Sequence, residues 1–299
     1  MYSELTNILY PSEVRLQEPM SRHTTFGIGG PADALVMAGG IEDIRRTLQY
    51  CQSQNIPCFV LGMGSNILVR DKGIRGIVIK IGQGLTTVQI SDEEIYAEAG
   101  VSLYDLAKQA ADQGLSGLEF AEGIPGSLGG AVVMNAGAYG GEIKDILVEV
   151  KALDQQGNDQ KYSPQQMGMG YRKSIFQELD SIVLAARLHL RRGDCEEIKE
   201  RMKEYSRQRQ EKQPLESPSA GSTFRRPEGY YVGPMIEELG LKGFTVGGAQ
   251  VSPKHAGFVV NRGHATAQDV LDLIQIIQNK ARKRFGVELH TEIKVVGEE

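Results

Sequence analysis

Tryptophan is absent from the 299 residues, and cysteine occurs three times, at Cys51, Cys58 and Cys195. An odd count at wide spacing, with no C-x-x-C pair, argues against a disulfide framework or a zinc site and fits a reducing compartment. Positive charge is in deficit: 33 Lys and Arg stand against 38 Asp and Glu, for a net charge of −5 and a pI near 5.7. Without a broad basic field to follow a phosphate backbone, nucleic acid is not an expected partner. Long apolar runs are missing as well, and none approaches the ~18 residues of a membrane span. The opening "MYSELTNILYPSEVRL" mixes charged and apolar residues, so it does not read as a signal peptide. No H-x-x-x-H or H-E-x-x-H spacing occurs among the five histidines, so no metal site is expected. The expectation is a cytoplasmic protein that neither spans a membrane nor holds a metal.

Glycine is in excess, with 36 residues or about 12% of the chain against an ordinary ~7%. Hydrophobic content is 40% and charged content 24%, as in a typical globular protein, and roughly 100–200 residues per domain predicts two or three domains.

Hydrophobic spacing predicts a strand at 34–39, a helix from Ile41 and a buried strand at 57–62. Short strands follow at 67–69, 74–81, 86–91 and 94–100. Ser102 and Asp105 form a capping-box pattern for a helix that Gly114 ends. Residues 146–154 and 182–192 read as strands, the second alternating apolar with polar. The mixed-charge stretch after 194 predicts a solvated helix that Pro214 and Pro218 break, with a domain boundary near 205–215. Thr266 and Asp269 cap a further helix carrying Val270, Ile274, Ile277, Ala281 and Phe285 on one face, stopped by Gly286. The segment 287–295 alternates and predicts a strand, with Val287, Leu289, Thr291, Ile293 and Val295 on one face and Glu288, His290, Glu292 and Lys294 on the other.

Two glycine-rich loops stand out. "LGMGSNILV" (61–69) follows a strand as a dinucleotide fingerprint does, but a strand rather than a helix comes next and the third glycine is missing. Its backbone N–H groups can form an anion-binding nest, with Ser65 and Asn66 adding side-chain donors. In "GIPGSLGGAVVMNAGAYGG" (123–141), Gly126, Ser127, Gly129 and Gly130 are placed to open a short helix with free N–H groups. So many glycines together imply close approach, either of a ligand or of backbone on backbone.

Six motifs in order resemble the UDP-N-acetylenolpyruvoylglucosamine reductases of peptidoglycan synthesis. They are "TTFGIGGPA" (24–32), "LGMGSNILV" (61–69), "GIPGSLGGAVVMNAGAYG" (123–140), "GYRKSIF" (170–176), "AGSTFRRP" (220–227) and "HTEIKVVG" (290–297). The first three are shared loosely with FAD proteins of the vanillyl-alcohol-oxidase type; the last three are specific to the reductases. The resemblance implies an α+β fold: a two-part FAD-binding region of that type, at 1–75 and 76–205, plus a C-terminal α+β substrate-binding domain at 206–299. It implies non-covalent FAD, since the first loop has no histidine, and NADPH as hydride donor. The substrate implied is UDP-N-acetylglucosamine enolpyruvate, reduced to UDP-N-acetylmuramate.

By the same resemblance, Gly62, Gly64, Ser65, Asn66, Ile124, Pro125, Gly126, Ser127, Gly129, Asn135 and Gly137 bind the cofactor. Arg172 clamps the substrate carboxylate, as a permanently charged, bidentate guanidinium can, and Tyr171 positions Arg172 or the substrate. Ser222 is the proton donor. Glu292 assists the enolate in protonated form, because a carboxylate would repel the developing charge. Tyr139, Lys212 and Arg226 match substrate-contacting positions, though Arg226 departs from the asparagine of some relatives. Fifty residues separate Arg172 from Ser222, without the extra substrate loop of longer members, so the chain resembles the short form. The competing possibility is an oxygen-using FAD oxidase on the same fold, which would share the first three motifs without needing Arg172, Ser222 and Glu292 together.

Overall fold

The computed structural model describes residues 2–299. The chain forms two compact units. The first takes the chain up to Leu16, Ala34–Met63 and Gly76–Gln208; the second takes Gln17–Asp33, Gly64–Arg75 and Arg209–Glu299.

In the first unit, helix α1 (Tyr2–Ile8) precedes α2 (Ile41–Gln54), α3 (Leu103–Asp112), α4 (Leu128–Met134) and the start of α5 (Cys195–Lys212). The three-and-four spacing of α2 buries Ile44, Leu48 and Cys51, and Asn55 ends it in the left-handed conformation at φ 53°. Ser102 caps α3 as its sequence predicts, its side chain accepting from Asp105 N at 3.3 Å. A four-stranded sheet runs in the order Glu13–Pro19, Pro31–Ala38, Ile74–Ile81, Cys58–Leu61. A five-stranded antiparallel sheet runs in the order Asp159–Tyr162, Leu147–Leu153, Ile182–His189, Glu94–Glu98, Val88–Ser91. The expected alternation at 182–189 does not hold as burial: Ile182, Val183, Leu184, Ala185, Ala186 and Leu188 are all buried. Successive residues point to opposite faces, so both faces of this strand are covered, with α4 packed against it.

In the second unit, Ser219–Ser222, Phe258–Asn261, Ala249–Val251 and Thr245–Val246 make an antiparallel sheet in that order. Helix α6 (Val232–Glu238), which no sequence signal singled out, and α7 (Ala267–Phe285) complete it. The Thr266/Asp269 capping box forms in both directions, and Gly286 closes α7 at φ 68°. A further cap comes from Asp71, whose carboxylate accepts the N–H groups of Ala267 at 2.8 Å and Gln268 at 3.0 Å. Such a charge satisfies two orphan donors and opposes the positive end of the helix. Val270, Leu273, Ile274, Ile277 and Ala281 pack under this sheet with Phe26, Ile28, Leu68 and Phe224. Each fully buried Leu or Ile contributes about 1.5–3 kcal/mol.

The strand expected over 287–295 is shorter. Only Lys294–Val296 forms a ladder, parallel to Ile67–Val69. The residues before it make a single bridge, Phe224 to Thr291. Their predicted inner positions Leu289 and Ile293 are nevertheless buried, so the side-chain alternation survives without a ladder.

Candidate active site

The long glycine loop lies in the first unit and does two things. Ser127 caps α4, and Asn135 ends that helix at φ 41°. The expectation of free N–H groups at the helix start needs correction, because Leu128 N donates to Val101 O at 2.8 Å and Gly129 N to Ala99 O at 2.9 Å. Residues 99–103 consume these donors because they run alongside, with Ser102 bridged to Ser127. The amides of Gly126 and Ser127, one step earlier, carry no hydrogen bond among the described residues. Close packing accounts for several of the glycines. A Cβ on Gly129 would lie 2.9 Å from Ala99 Cβ, and one on Gly137 would lie 2.6 Å from Gly141 O. Gly62 is equally tight, at 2.6 Å from Ser127 Oγ.

Asn135 is fully buried and its amide is spent inside the protein. Nδ2 donates to Glu142 Oε2 at 2.7 Å and to Gly170 O at 2.9 Å, and Oδ1 accepts from Lys144 N at 2.9 Å. One side chain thus ties the end of α4 to the 141–144 segment and to the "GYRKSIF" turn. Of the two roles open to Asn135, the structure displays the internal one.

Tyr139 and Gly140, at φ 52° and 86°, form a two-residue turn between Gly137–Ala138 and Gly141–Glu142. Two positive φ values define the hairpin turn that matches strand twist, and Asn or Gly is the usual occupant of its first position. A tyrosine there costs about 1–2 kcal/mol. Arg172 is likewise left-handed at φ 52°, in a tight turn where Gly170 and Lys173 exchange backbone bonds at 3.0 and 3.1 Å. Its Nη2 donates to Gly137 O at 3.0 Å, and its guanidinium lies 5.0 Å from the centroid of the exposed Tyr171 ring. Strained non-glycine residues of this kind persist where surrounding structure over-determines them, and they cluster at functional sites. The first unit therefore brings Arg172, Tyr171, Gly137 and the Tyr139 turn together.

A buried carboxylate anchors the neighbouring helix. Glu119 Oε1 receives Arg201 Nη2 at 2.7 Å and Ser116 Oγ at 2.7 Å, and Oε2 receives Gly117 N at 2.6 Å. Burial by itself would raise the Glu119 pKa, but the bonds from Arg201, Ser116 and the backbone outweigh it and hold the carboxyl below its ordinary value. The expectation that α5 is a solvated helix is accurate for most of its length, but Ile198, Met202 and Arg209 are buried.

The second unit holds Gly64, Ser65, Asn66, Ser222 and Glu292. Gly64 has φ 69°, and a Cβ on it would sit 2.2 Å from His23 O. Its own carbonyl accepts Thr25 N at 3.1 Å, so the "TTFGIGGPA" and "GMGSN" loops are laid directly against each other. Asn66 Nδ2 donates to Glu292 O at 3.2 Å, and Asn66 O accepts Lys294 N at 3.0 Å.

Ser222 ends its strand. Ser219 faces Val260 while Ser222 faces Phe258, so the edge strand carries one extra residue, with Gly221 at φ 75°. A bulge of this kind re-aims the next side chain. Thr223 O then accepts Glu292 N at 2.9 Å, and Arg225 N donates to His290 O at 2.9 Å. These bonds set the Glu292 segment beside the residue that follows Ser222. On the other flank, Thr223 N donates to Gly257 O at 2.9 Å, and Gly257 N donates to His255 Nδ1 at 3.0 Å. Burial pushes the His255 pKa down, so this acceptor nitrogen stays unprotonated.

Arg226 is exposed; its Nε donates to Tyr230 O at 3.2 Å and its guanidinium lies 3.8 Å from the Tyr231 ring centroid. Lys212 is exposed at the last position of α5. The free end of that helix is capped by Lys254, whose Nζ donates to Gln210 O at 2.6 Å. Lys254, which the motifs did not indicate, is a cation at the end of α5, where Lys212 also lies.

Comparison with known proteins bears on both units. Residues 32–161 match an FAD binding domain, and residues 213–296 match the UDP-N-acetylenolpyruvoylglucosamine reductase C-terminal domain. The chain is 58% identical over 299 residues to the UDP-N-acetylenolpyruvoylglucosamine reductase of Syntrophomonas wolfei, covering 100% of both chains. The chain belongs to the UDP-N-acetylenolpyruvoylglucosamine reductase family. The member from Caldanaerobacter subterraneus is 51% identical over 100% of this chain and 98% of its own. The crystal structure of the reductase from Thermus caldophilus superposes with a TM-score of 0.82 at 39% identity, covering 95% of this chain and 98% of that one. Membership of this family makes the protein an oxidoreductase with an FAD-binding domain, and its α+β fold is the one the motifs implied. Among the described residues no helix is long and apolar enough to cross a membrane.

Proposed function

We propose that the protein reduces UDP-N-acetylglucosamine enolpyruvate to UDP-N-acetylmuramate, a cytoplasmic step in peptidoglycan precursor synthesis, with NADPH as hydride donor. The full-length 58% identity to a reductase of that name supports the substrate. The structural observation that carries the chemistry is the backbone pairing that sets Glu292 beside Thr223, directly after Ser222 on its bulge.

FAD fits the residues present. Gly126 and Ser127 offer unengaged amides, and the buried Gly64, which tolerates no Cβ against His23 O, fixes the loop that presents Ser65 and Asn66. Together with Gly62, Ser65, Asn66, Ile124, Pro125 and Gly137 they would hold it non-covalently, while Gly129 and Asn135 fix the shape of the loop. When bound, FAD supplies the hydride carrier between NADPH and the sugar.

The substrate carries a double bond conjugated to a carboxylate. During reduction, negative charge accumulates on the carbon next to that carboxylate and spreads into it. Arg172 clamps the carboxylate through two N–H groups and stabilises the spread charge. Ser222 Oγ gives its proton to the carbanion carbon; a hydroxyl is a weak acid in water but far more acidic than the C–H bond formed. Glu292 assists the same charge. Tyr139, Tyr171, Lys212 and Arg226 contact the UDP-sugar, the last two by charge on its diphosphate.

The test is NADPH consumption by flavin-replete protein with and without the enolpyruvyl substrate. Oxidation dependent on that substrate, yielding UDP-N-acetylmuramate, is expected. Oxidation of NADPH driven by oxygen alone, indifferent to the substrate, would overturn the reading.

A further inference from the structure

Tyr139 occupies the first position of a turn that disfavours it, and its ring is not left to solvent. It lies parallel to Tyr205 on α5, with centroids 4.2 Å apart and an interplanar angle of 1°. A parallel pair at this separation is offset rather than eclipsed, the arrangement ring quadrupoles favour. Tyr139 Oη also donates to Tyr205 O at 3.2 Å, so ring and hydroxyl grip the same residue. Tyr205 lies on a helix that is itself anchored: Arg201, four residues earlier, is bound to the buried Glu119 at 2.7 Å. The turn that Tyr139 begins joins Ala138 to Gly141, and Gly137 of that hairpin accepts Arg172 Nη2 at 3.0 Å. The stack and the hydroxyl bond therefore link α5 at Tyr205 to the Tyr139 turn, and that hairpin links through Gly137 to Arg172.

We propose that Tyr205 is a positioning residue for the reduction, holding Tyr139 in a single orientation toward the UDP-sugar and steadying the Gly137 carbonyl that orients Arg172. This rests on the reading of Tyr139 as a substrate contact. The motifs do not include Tyr205, which lies within a charged helix expected to be solvated. Its role follows from the stack and not from its own contact with substrate. Phenylalanine at 205 keeps the ring and the main-chain carbonyl, so it preserves the function; alanine and leucine lose the planar face.

The test measures the Kd of the enolpyruvyl substrate for the oxidised holoenzyme by calorimetry, together with kcat and KM. The variants are Tyr205→Phe, Tyr205→Ala, Tyr205→Leu, Tyr139→Ala and Tyr139→Ala/Tyr205→Ala. Tyr205→Ala and Tyr205→Leu are expected to weaken Kd and raise KM by about two- to tenfold, the range of one aromatic pair. Tyr205→Phe is expected to restore the wild-type value, and reduction of the flavin by NADPH to be unchanged in the three single Tyr205 variants. In the double variant the Tyr205 substitution should add nothing to Tyr139→Ala, because it acts through that ring. If Tyr139→Ala weakens substrate binding and Tyr205→Ala and Tyr205→Leu do not, the positioning role is overturned and the reading of Tyr139 stands. If Tyr139→Ala has no effect on Kd, the substrate reading of Tyr139 falls and the proposal with it. Should Tyr205→Ala not fold, Tyr205→Leu keeps apolar bulk and gives the same comparison. Additive losses in the double variant would overturn the route through Tyr139.

Discussion

Asn135→Ala tests how the first unit holds its strained turns. The side chain is fully buried and serves three partners: Glu142 Oε2 at 2.7 Å, Gly170 O at 2.9 Å and Lys144 N at 2.9 Å. Alanine leaves the Lys144 amide without its partner, while the Gly170 carbonyl loses one of two donors and keeps Lys173 N at 3.1 Å. A stranded buried polar group costs about 1–3 kcal/mol, and Lys144 is exposed enough for water to recover part of this. Glu142 keeps its ion pair to Lys144 Nζ, so its loss is the smallest. Asn135 also sits at φ 41°, a conformation asparagine tolerates better than alanine, which adds up to about 1 kcal/mol. The total is about 1–3 kcal/mol, read as a lowered urea midpoint at unchanged m-value in flavin-free protein. Asn135→Gly removes the backbone penalty but not the lost bonds, so it should fall between wild type and Asn135→Ala. Asn135→Asp keeps the acceptor for Lys144 N but sets a second carboxylate against Glu142, and should be the worst of the three. A loss below about 0.5 kcal/mol for Asn135→Ala would refute the reasoning, since it requires the orphaned Lys144 amide to find a new partner at no cost.

Other perturbations separate folding from chemistry. Gly64→Ala forces a Cβ to within 2.2 Å of His23 O at φ 69°, so the loop must shift; weakened FAD retention on gel filtration is expected, and wild-type retention would refute the close approach. Glu119 has a folded pKa below its ordinary value, so its stabilising share is present above the unfolded value of ~4.3 and lost as pH falls through the folded one. Glu119→Gln should therefore reduce the difference in thermal midpoint between pH 6 and pH 3, and an unchanged pH profile would count against that linkage. Ser222→Ala should leave flavin reduction by NADPH intact and slow substrate reduction by ~10²–10⁴-fold; stopped-flow showing both half-reactions unchanged would remove Ser222 from its role. Arg172→Ala should also spare the first half-reaction and cost about 2.7–4 kcal/mol of barrier in the second, whereas loss of FAD from that variant would make Arg172 structural.

Much of this was open to reading in the chain itself. The Ser102 cap, the Thr266 capping box, and the spacing in α2 and α7 depend on residues within a few positions of one another, and local signals of that kind survive folding. The order of six motifs was enough to identify the family, because it needs no coordinates. What the motifs could not say is what each glycine or polar group is occupied with. The amides of Leu128 and Gly129 looked available for a ligand until Val101 and Ala99, nearly thirty residues away, were found to accept them. The 182–189 alternation predicts one exposed face, but elements packed on the sheet, α4 among them, bury residues of both. The segment 287–295 looked like one strand until its partners proved to be Phe224 for one residue and Ile67–Val69 for others. Glu119 and Tyr205 carry no local mark of importance; Arg201 and Tyr139, the distant partners that give them a role, lie 82 and 66 residues away. Sequence alone determined the caps, the amphipathic faces and the family, because those follow from neighbours along the chain. Only the tertiary structure decided which donors remain for a ligand and which side chains hold Arg172 and Tyr139 in strained turns, because hydrogen-bond partners are allotted by proximity in space.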